Sequence, residues 1–181
     1  MKDENPFKLL SSKPVYENPW IKVREDAVER PGGQEGIFGV VDVRSGVSVL
    51  VVTNDQTILL VKEYKYGLGR YTLECVGGCI DDGEAAEATA RREVKEELGV
   101  EAAKFTALGT ASSLPTIVNF TEHIYLAEGA QIVAPQNTDE GEVIEVVELP
   151  IAEVYEKAQT EEITHDMTLV TLFRAQHLLN Q

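Results

Sequence analysis

The chain has 181 residues, 43% of them hydrophobic and 26% charged, which is the mixture of one folded domain and excludes wholesale disorder. Sixteen basic residues against thirty-one acidic ones leave a net charge of −15, which argues against nonspecific binding to nucleic acid and against docking on anionic lipid. Two cysteines, Cys75 and Cys79, cannot build a disulfide framework, and three scattered histidines give no zinc pattern.

The opening MKDENPFKLLSSKP has charges and prolines where a secretory signal needs an apolar core. Apolar runs such as VSVLVVT are far shorter than the ~20 residues of a membrane span. A cytoplasmic location is therefore expected. Residues 1–45 read as an arm, with 46–181 as the main domain. Within the arm, PVYENPWIKVREDAVE is extended and turns at Pro31-Gly32-Gly33, and GIFGVVDVR forms another strand. VSVLVVT and TILLVKEY are apolar, β-branched central strands joined at Asn54-Asp55. Tyr71 to Cys75 reads as a further strand. Residues 84–98, EAAEATARREVKEEL, are strong helix formers, with Asp81 or Asp82 as cap and Gly99 as helix-ending glycine. KFTALGTA and FTEHIYLA are strands with Pro115 between them, and the polar APQNTDEGE leads into the strand VIEVVEL. Pro150 starts a short helix, IAEVYEKA. The last helix, MTLVTLFRAQHLL, carries Met167, Leu169, Val170, Phe173 and Leu178 at helical spacing. The fold class is α/β, around a mixed sheet.

The helix at 84–98 carries the chemistry. At ~100° per residue, with Glu93 at zero, Glu97 falls near ~40° and Glu96 near ~300°. Ala86, Ala90, Val94 and Leu98 run from roughly 20° to 140°, so Glu97 lies inside the stripe that faces the protein. A carboxylate there needs a partner, since burying an unpaired charge is costly. Glu93 and Glu97 are like charges at i, i+4, and acids in the last turn oppose the helix dipole. A divalent cation that collects these carboxylates accounts for all three penalties, and oxygen donors suit Mg²⁺ or Mn²⁺. The alternative is a solvated helix end with Arg91, Arg92 and Lys95 as ion-pair partners. Gly77-Gly78 and CIDDGE, read as a glycine-rich loop feeding the helix, favour the metal, because such a loop admits ions and phosphates to the backbone.

The spacing Gly78, Glu84, Arg92-Glu93-Val94, Glu96-Glu97, Gly99-Val100 resembles the Nudix box at every defined position. This resemblance implies a Nudix hydrolase, which cuts a nucleoside diphosphate linked to another moiety by water attack on phosphorus, with Mg²⁺. The implied fold is an α/β/α sandwich around a mixed sheet, with an N-terminal β-rich arm. By similarity, Glu93, Glu96, Glu97 and the Gly77 carbonyl ligate metal, Arg92 holds the glutamates in place, and Glu84 braces the loop. The stretches NPWIKVRED, ILLVKEYKYG, TLECVGGCIDDGE and TDEGEVIEVVELPIAEV resemble the ADP-ribose pyrophosphatases and related nucleoside diphosphate sugar hydrolases. That branch places a substrate-binding basic residue at Lys65.

Residues 139–162 contain nine acids and one lysine, mostly a solvated surface. Glu140 and Glu142 stand in the DExE pattern where the branch places loop carboxylates. Glutamates occupied by metal are poor bases, so Glu140 is assigned as general base and Glu142 as a further metal ligand; the two roles could be exchanged. The metals implied are on the order of two or three Mg²⁺, with Mn²⁺ as a substitute. Arg70 is either a diphosphate contact or a turn residue. Trp20 and Phe38 either stack on a base or pack in a core. Glu74 pairs with Lys65 or Arg70, the cysteines are small core fillers, and His123, His165 and His177 are ordinary.

Two departures from the branch bear on substrate. Val76-Gly77-Gly78 replaces its Pro-Ala-Gly or Ala-Gly. In Ser113-Leu114-Pro115 and onward, proline and Glu122 survive but the glycine does not. That loop lies near the terminal sugar in relatives, so Pro115 and Glu122 are assigned to substrate. Relatives dimerise through the arm, which implies a homodimer. The favoured substrate is ADP-ribose, with GDP-mannose and other nucleoside diphosphate sugars in the same class. A nucleoside triphosphate or dinucleotide pyrophosphohydrolase is an alternative, which the arm and the Pro115/Glu122 loop disfavour. A non-catalytic nucleotide sensor is another, which the intact box glutamates disfavour.

Overall fold

The computed structural model describes residues 4–138 and 143–179. They fall into two compact units. One runs to Arg44 and regains the chain at Ser112–Thr121; the other comprises Ser45–Ala111 and the chain from Glu122 onward.

The first unit begins with β1 (Lys8–Glu17), β2 (Ile21–Glu29) and β3 (Glu35–Val43), an antiparallel meander. One continuous extended segment was expected from Pro14 to Glu29, but the chain reverses between β1 and β2. The Asn18 side-chain carbonyl accepts the backbone N–H of Trp20 and of Ile21 at 2.9 and 2.8 Å, and Pro19 fixes the backbone between. Such an Asx turn diverts a β-rich sequence without interrupting its apolar pattern. The second reversal falls at Pro31-Gly32-Gly33, where both glycines have positive φ. Every residue of β1 is exposed.

In the second unit β4 (Gly46–Thr53) is the spine, buried from Gly46 through Val52. β5 (Thr57–Lys65) pairs antiparallel with β4 and with β6 (Arg70–Glu74). The chain then crosses to β7 (Val76–Cys79), which pairs with β4. This corrects the reading of Gly77-Gly78 as a loop: they are strand residues, and their lack of side chains serves a close approach described below. α1 (Ala86–Leu98), β8 (Val100–Glu101) and β9 (Lys104–Ala111) follow. After β10 (Val118–Asn119), which adds parallel to β3, β11 (Glu122–Ile132) runs parallel to β4 and antiparallel to β9. β12 (Ile144–Pro150) pairs antiparallel with β5. α2 (Ile151–Gln159) and α3 (Asp166–Leu179) close the chain.

Alternation along β4 divides the core into two layers. Val47, Val49 and Val51 pack with Ala90, Val94 and Leu98 of α1 and with Tyr125 and Ala127 of β11. Leu50 and Val52 pack with Ile58, Leu60 and Leu126, and against Val154 of α2 and Leu172 and Ala175 of α3. Helices therefore cover both faces of a mixed sheet, the α/β/α sandwich that the resemblance implies. On α3 the buried side is Met167, Thr168, Thr171, Leu172 and Ala175. Phe173, read as part of the apolar stripe, points to solvent at 77% exposure. Among the described residues no helix is long and apolar enough to cross a membrane.

Leu60 is fully buried between sheet and helices. Leu60→Ala is expected to lower stability by about 3 kcal/mol in urea denaturation, with an unchanged m value.

Candidate active site

α1 starts without a side-chain cap: Ala85, extended at φ −82 and ψ 140, holds the position expected for Asp81 or Asp82. The chain before it is shaped instead by Glu84, whose backbone N–H donates to the Asp81 carbonyl at 2.9 Å and whose carboxylate accepts the Thr89 hydroxyl at 2.8 Å. The helix ends as expected at Gly99, left-handed at φ 68, donating to the Lys95 carbonyl. A Cβ at Gly99 would run into the Ala134 carbonyl.

Glu97 is buried at 8% exposure, as its place within the apolar stripe requires. Glu93 and Glu96 are gathered by Arg92, whose guanidinium lies 2.9 Å from each and 3.1 Å from Glu84. The same guanidinium donates to the Cys79 carbonyl at 3.4 Å, which joins α1 to the end of β7. Arg92 holds the Glu84 carboxyl below the usual carboxylate range, helped by the Thr89 hydroxyl. Glycine permits this joint. A Cβ on Gly78 would overlap the Glu93 carboxylate, and one on Gly77 would lie 3.0 Å from the Val47 carbonyl.

The segment after β11 is fastened to the end of α1. Val133 and Ala134 donate to the Gly99 carbonyl, the Asn137 N–H donates to the Glu96 carbonyl at 2.9 Å, and the Gln136 amide donates to the Glu97 carbonyl. These bonds satisfy carbonyls that a helix end otherwise leaves open. Glu140 and Glu142 lie outside the described residues.

A second polar group forms where β5 and β6 end. The Lys65 ammonium lies 2.5 Å from Glu63 and 3.2 Å from Glu74. Burial works against its charge, yet the two carboxylates hold its pKa above the ordinary value. Arg70, cross-strand from Lys65, donates to the Thr164 hydroxyl at 3.0 Å, so Glu74 takes Lys65 and Arg70 does not. His165, read as ordinary, lies 3.4 Å from Glu74 through Nδ1. No periodicity links these two residues, which stand 91 positions apart, so only the fold joins them.

Glu122 opens β11 opposite Gly46 of β4, which is itself opposite Cys79 of β7. It is thus two strand spacings, roughly 10 Å, from the Cys79 backbone. Burial, with the charge of Asp166 behind it, pushes its carboxyl up to about 7. In the other unit, Pro115 follows Leu114, which holds a left-handed φ of 46. Phe38 packs edge-on against Phe7 and under Arg30. Trp20 is 66% exposed, so it is not the core residue that was its alternative reading. Cys75 is buried, whereas Cys79 is exposed and no core filler.

A family model described as NUDIX domain matches residues 42–169. The chain belongs to the Nudix hydrolases. A second model, Nucleoside diphosphate sugar hydrolase N-terminal domain, matches residues 7–41, the β1–β3 meander. An ADP-ribose pyrophosphatase of Bacillus subtilis is 28% identical, the match covering 86% of this chain and 85% of that protein. An ADP-sugar pyrophosphatase of Mus musculus is 30% identical over 82% of this chain and 76% of its own. The crystal structure of an ADP compounds hydrolase shares the fold, with a TM-score of 0.87, 23% identity, and coverage of 99% of this chain and 97% of that one.

Nudix hydrolases use divalent metal ions. The donor chemistry here fits them: Glu93, Glu96 and Glu97 supply hard oxygens on one side of α1, and the glycines of β7 clear the space beside Glu93. Among the described residues no three acidic, His or Cys side chains converge as a ready-made ion cage, and Glu93 and Glu96 are turned onto Arg92.

Glu122 has its pKa raised in the fold from 4.5 to about 7, so its contribution is full below pH 4.5 and is lost as pH rises to 7. Glu122→Gln cannot ionise. Its stability relative to the unsubstituted protein is therefore expected to improve by on the order of 2 kcal/mol from pH 5 to pH 8, as read by urea denaturation at both pH values.

Proposed function

We propose that this Nudix hydrolase cleaves the diphosphate of a nucleoside diphosphate sugar, with ADP-ribose favoured, to a nucleoside monophosphate and a sugar phosphate in the presence of Mg²⁺. The observation that carries the reading is the fit of the Glu93 carboxylate against Gly78, which sets the acidic side of α1 against a strand with no side chains in the way. The names of the Bacillus subtilis and Mus musculus relatives, and the N-terminal match at 7–41, support the substrate class.

Glu93, Glu96, Glu97, Glu142 and the Gly77 carbonyl would hold the metal. Bound there, divalent ions neutralise the diphosphate and lower the pKa of water. The residues of the chain divide the remaining work. Arg92 orders Glu93 and Glu96, and it keeps three carboxylates together that would otherwise repel. Lys65 meets a phosphate oxygen, and Arg70 stands beside it. Glu140 takes the proton of the attacking water. Its assignment is supported by Asn137, three residues earlier, which is bonded to the backbone of Glu96. Glu122 and Pro115 are each assigned to the terminal sugar, as their place in the family's loop implies. Trp20 offers an exposed ring on which a base can stack; Phe38 lies in the same meander, opposite Asp26. The arm pairs two copies as a homodimer, consistent with the full exposure of β1.

Assay of ADP-ribose, GDP-mannose, UDP-glucose, NADH and dGTP, with and without Mg²⁺, tests the reading. Turnover of ADP-ribose that needs the metal is expected, and activity confined to dGTP would overturn the substrate class. Glu140→Gln is expected to lower kcat by ~10² or more with the melting temperature unchanged, since a general base contributes about that factor. Gly78→Ala displaces the Glu93 carboxylate rather than backbone, so it is expected to fold normally and lose at least ~10-fold in kcat/KM.

A further inference from the structure

Lys65 stands between two carboxylates, which is an unusual setting for a group that must attract an anion. Lys65, Glu63 and Glu74 together carry one net negative charge, so they supply no long-range pull on a phosphate. An ammonium has three donors. With two directed to Glu63 and Glu74, one remains, and its direction is set by where those carboxylates sit. Glu63 is partly exposed, but Glu74 is buried at 4% exposure, and it is held from two further sides. The Thr72 hydroxyl donates to it from the same strand, and His165 meets it from the segment before α3. The His165 ring is itself fixed: its Nδ1 lies 3.0 Å from the Thr168 hydroxyl oxygen, which accepts the backbone N–H of Cys75 at 2.9 Å. A buried carboxylate held from its own strand by Thr72 and from the segment before α3 by His165 is a rigid anchor for a side chain that is otherwise long and mobile.

We infer that Glu74 is a positioning residue for Lys65: tethered by Thr72 and His165, it fixes the ammonium so that its remaining donor meets a phosphate of the nucleoside diphosphate sugar. This rests on the reading of Lys65 as a phosphate contact, and it adds Glu74 and His165, which act through Lys65 and need not touch substrate.

The test is a double-mutant cycle on the full chain, with α,β-methylene ADP-ribose as the probe in the presence of Mg²⁺ and binding followed by calorimetry. Lys65→Met is expected to weaken binding about tenfold, the loss of one charge-assisted contact. Glu74→Gln is expected to weaken it about fivefold and to raise KM for ADP-ribose with kcat within about twofold. In the Lys65→Met background Glu74→Gln should add nothing, because its effect runs through the lysine. Equal effects of Glu74→Gln in both backgrounds would mark a merely structural role and overturn the inference, as would no effect at all. If Glu74→Gln does not fold, His165→Ala decides, since that side chain is 31% exposed. A loss of about threefold that vanishes in the Lys65→Met background supports the tether, and an unchanged or background-independent value overturns it. Lys65→Met with unaltered binding is a separate result: it removes the phosphate contact from the functional reading, and the inference falls with it.

Discussion

The close approach of α1 to β7 is the constraint on which the candidate site depends. Five glutamates, Glu84, Glu87, Glu93, Glu96 and Glu97, lie in or just before a helix of thirteen residues, and Glu84, Glu93 and Glu96 surround one guanidinium. The like charge of Glu93, Glu96 and Glu97 near the helix C-terminus opposes helix formation. It persists because Arg92 neutralises part of it, because Ala90, Val94 and Leu98 on the adjoining face anchor the helix in the core, and because the strand beside it carries no side chain at Gly78. The helix is held by packing, and its polar side is left for chemistry.

The layered fold makes this arrangement stiff. β4 is buried on both faces, so its alternate residues bind α1 on one side and α2 and α3 on the other. α1 contributes to one layer, while the tether behind Lys65 comes from the opposite side of the sheet, through Thr168 of α3. Cys75 links them. Its backbone donates to Thr168, and the next residues, Val76 to Gly78, pair with β4 beneath α1. Burial pushes the Cys75 thiol up to about 12, in keeping with a residue that packs rather than reacts.

Much of this was legible in the residues. The apolar wheel of 84–98 fixed which way Glu97 had to face, because a 3.6-residue period leaves little freedom once Ala90, Val94 and Leu98 are buried. The runs VSVLVVT and TILLVKEY read as central strands because an unbroken apolar, β-branched run suits a strand buried on both faces. What was not legible depends on distant partners. Gly77 and Gly78 have weak strand propensity, and only the β4 ladder makes them a strand. The turn at Asn18 rests on one side-chain carbonyl, which leaves no mark on hydropathy. Phe173 fits the helical spacing but falls outside the face that Leu172 and Ala175 bury. The Glu74–His165 pair closes only when α3 is docked.

The way the chain leaves β11 also bears on how such a protein can change. Asn137 is pinned to Glu96 at the foot of α1, and Ile144 resumes the sheet opposite Glu63, the neighbour of Lys65. Both anchor points belong to the same unit, one at the foot of the glutamate helix and one on the strand that ends in the lysine. A substitution that weakens either anchor can therefore alter turnover from a distance, without replacing a residue of the site itself.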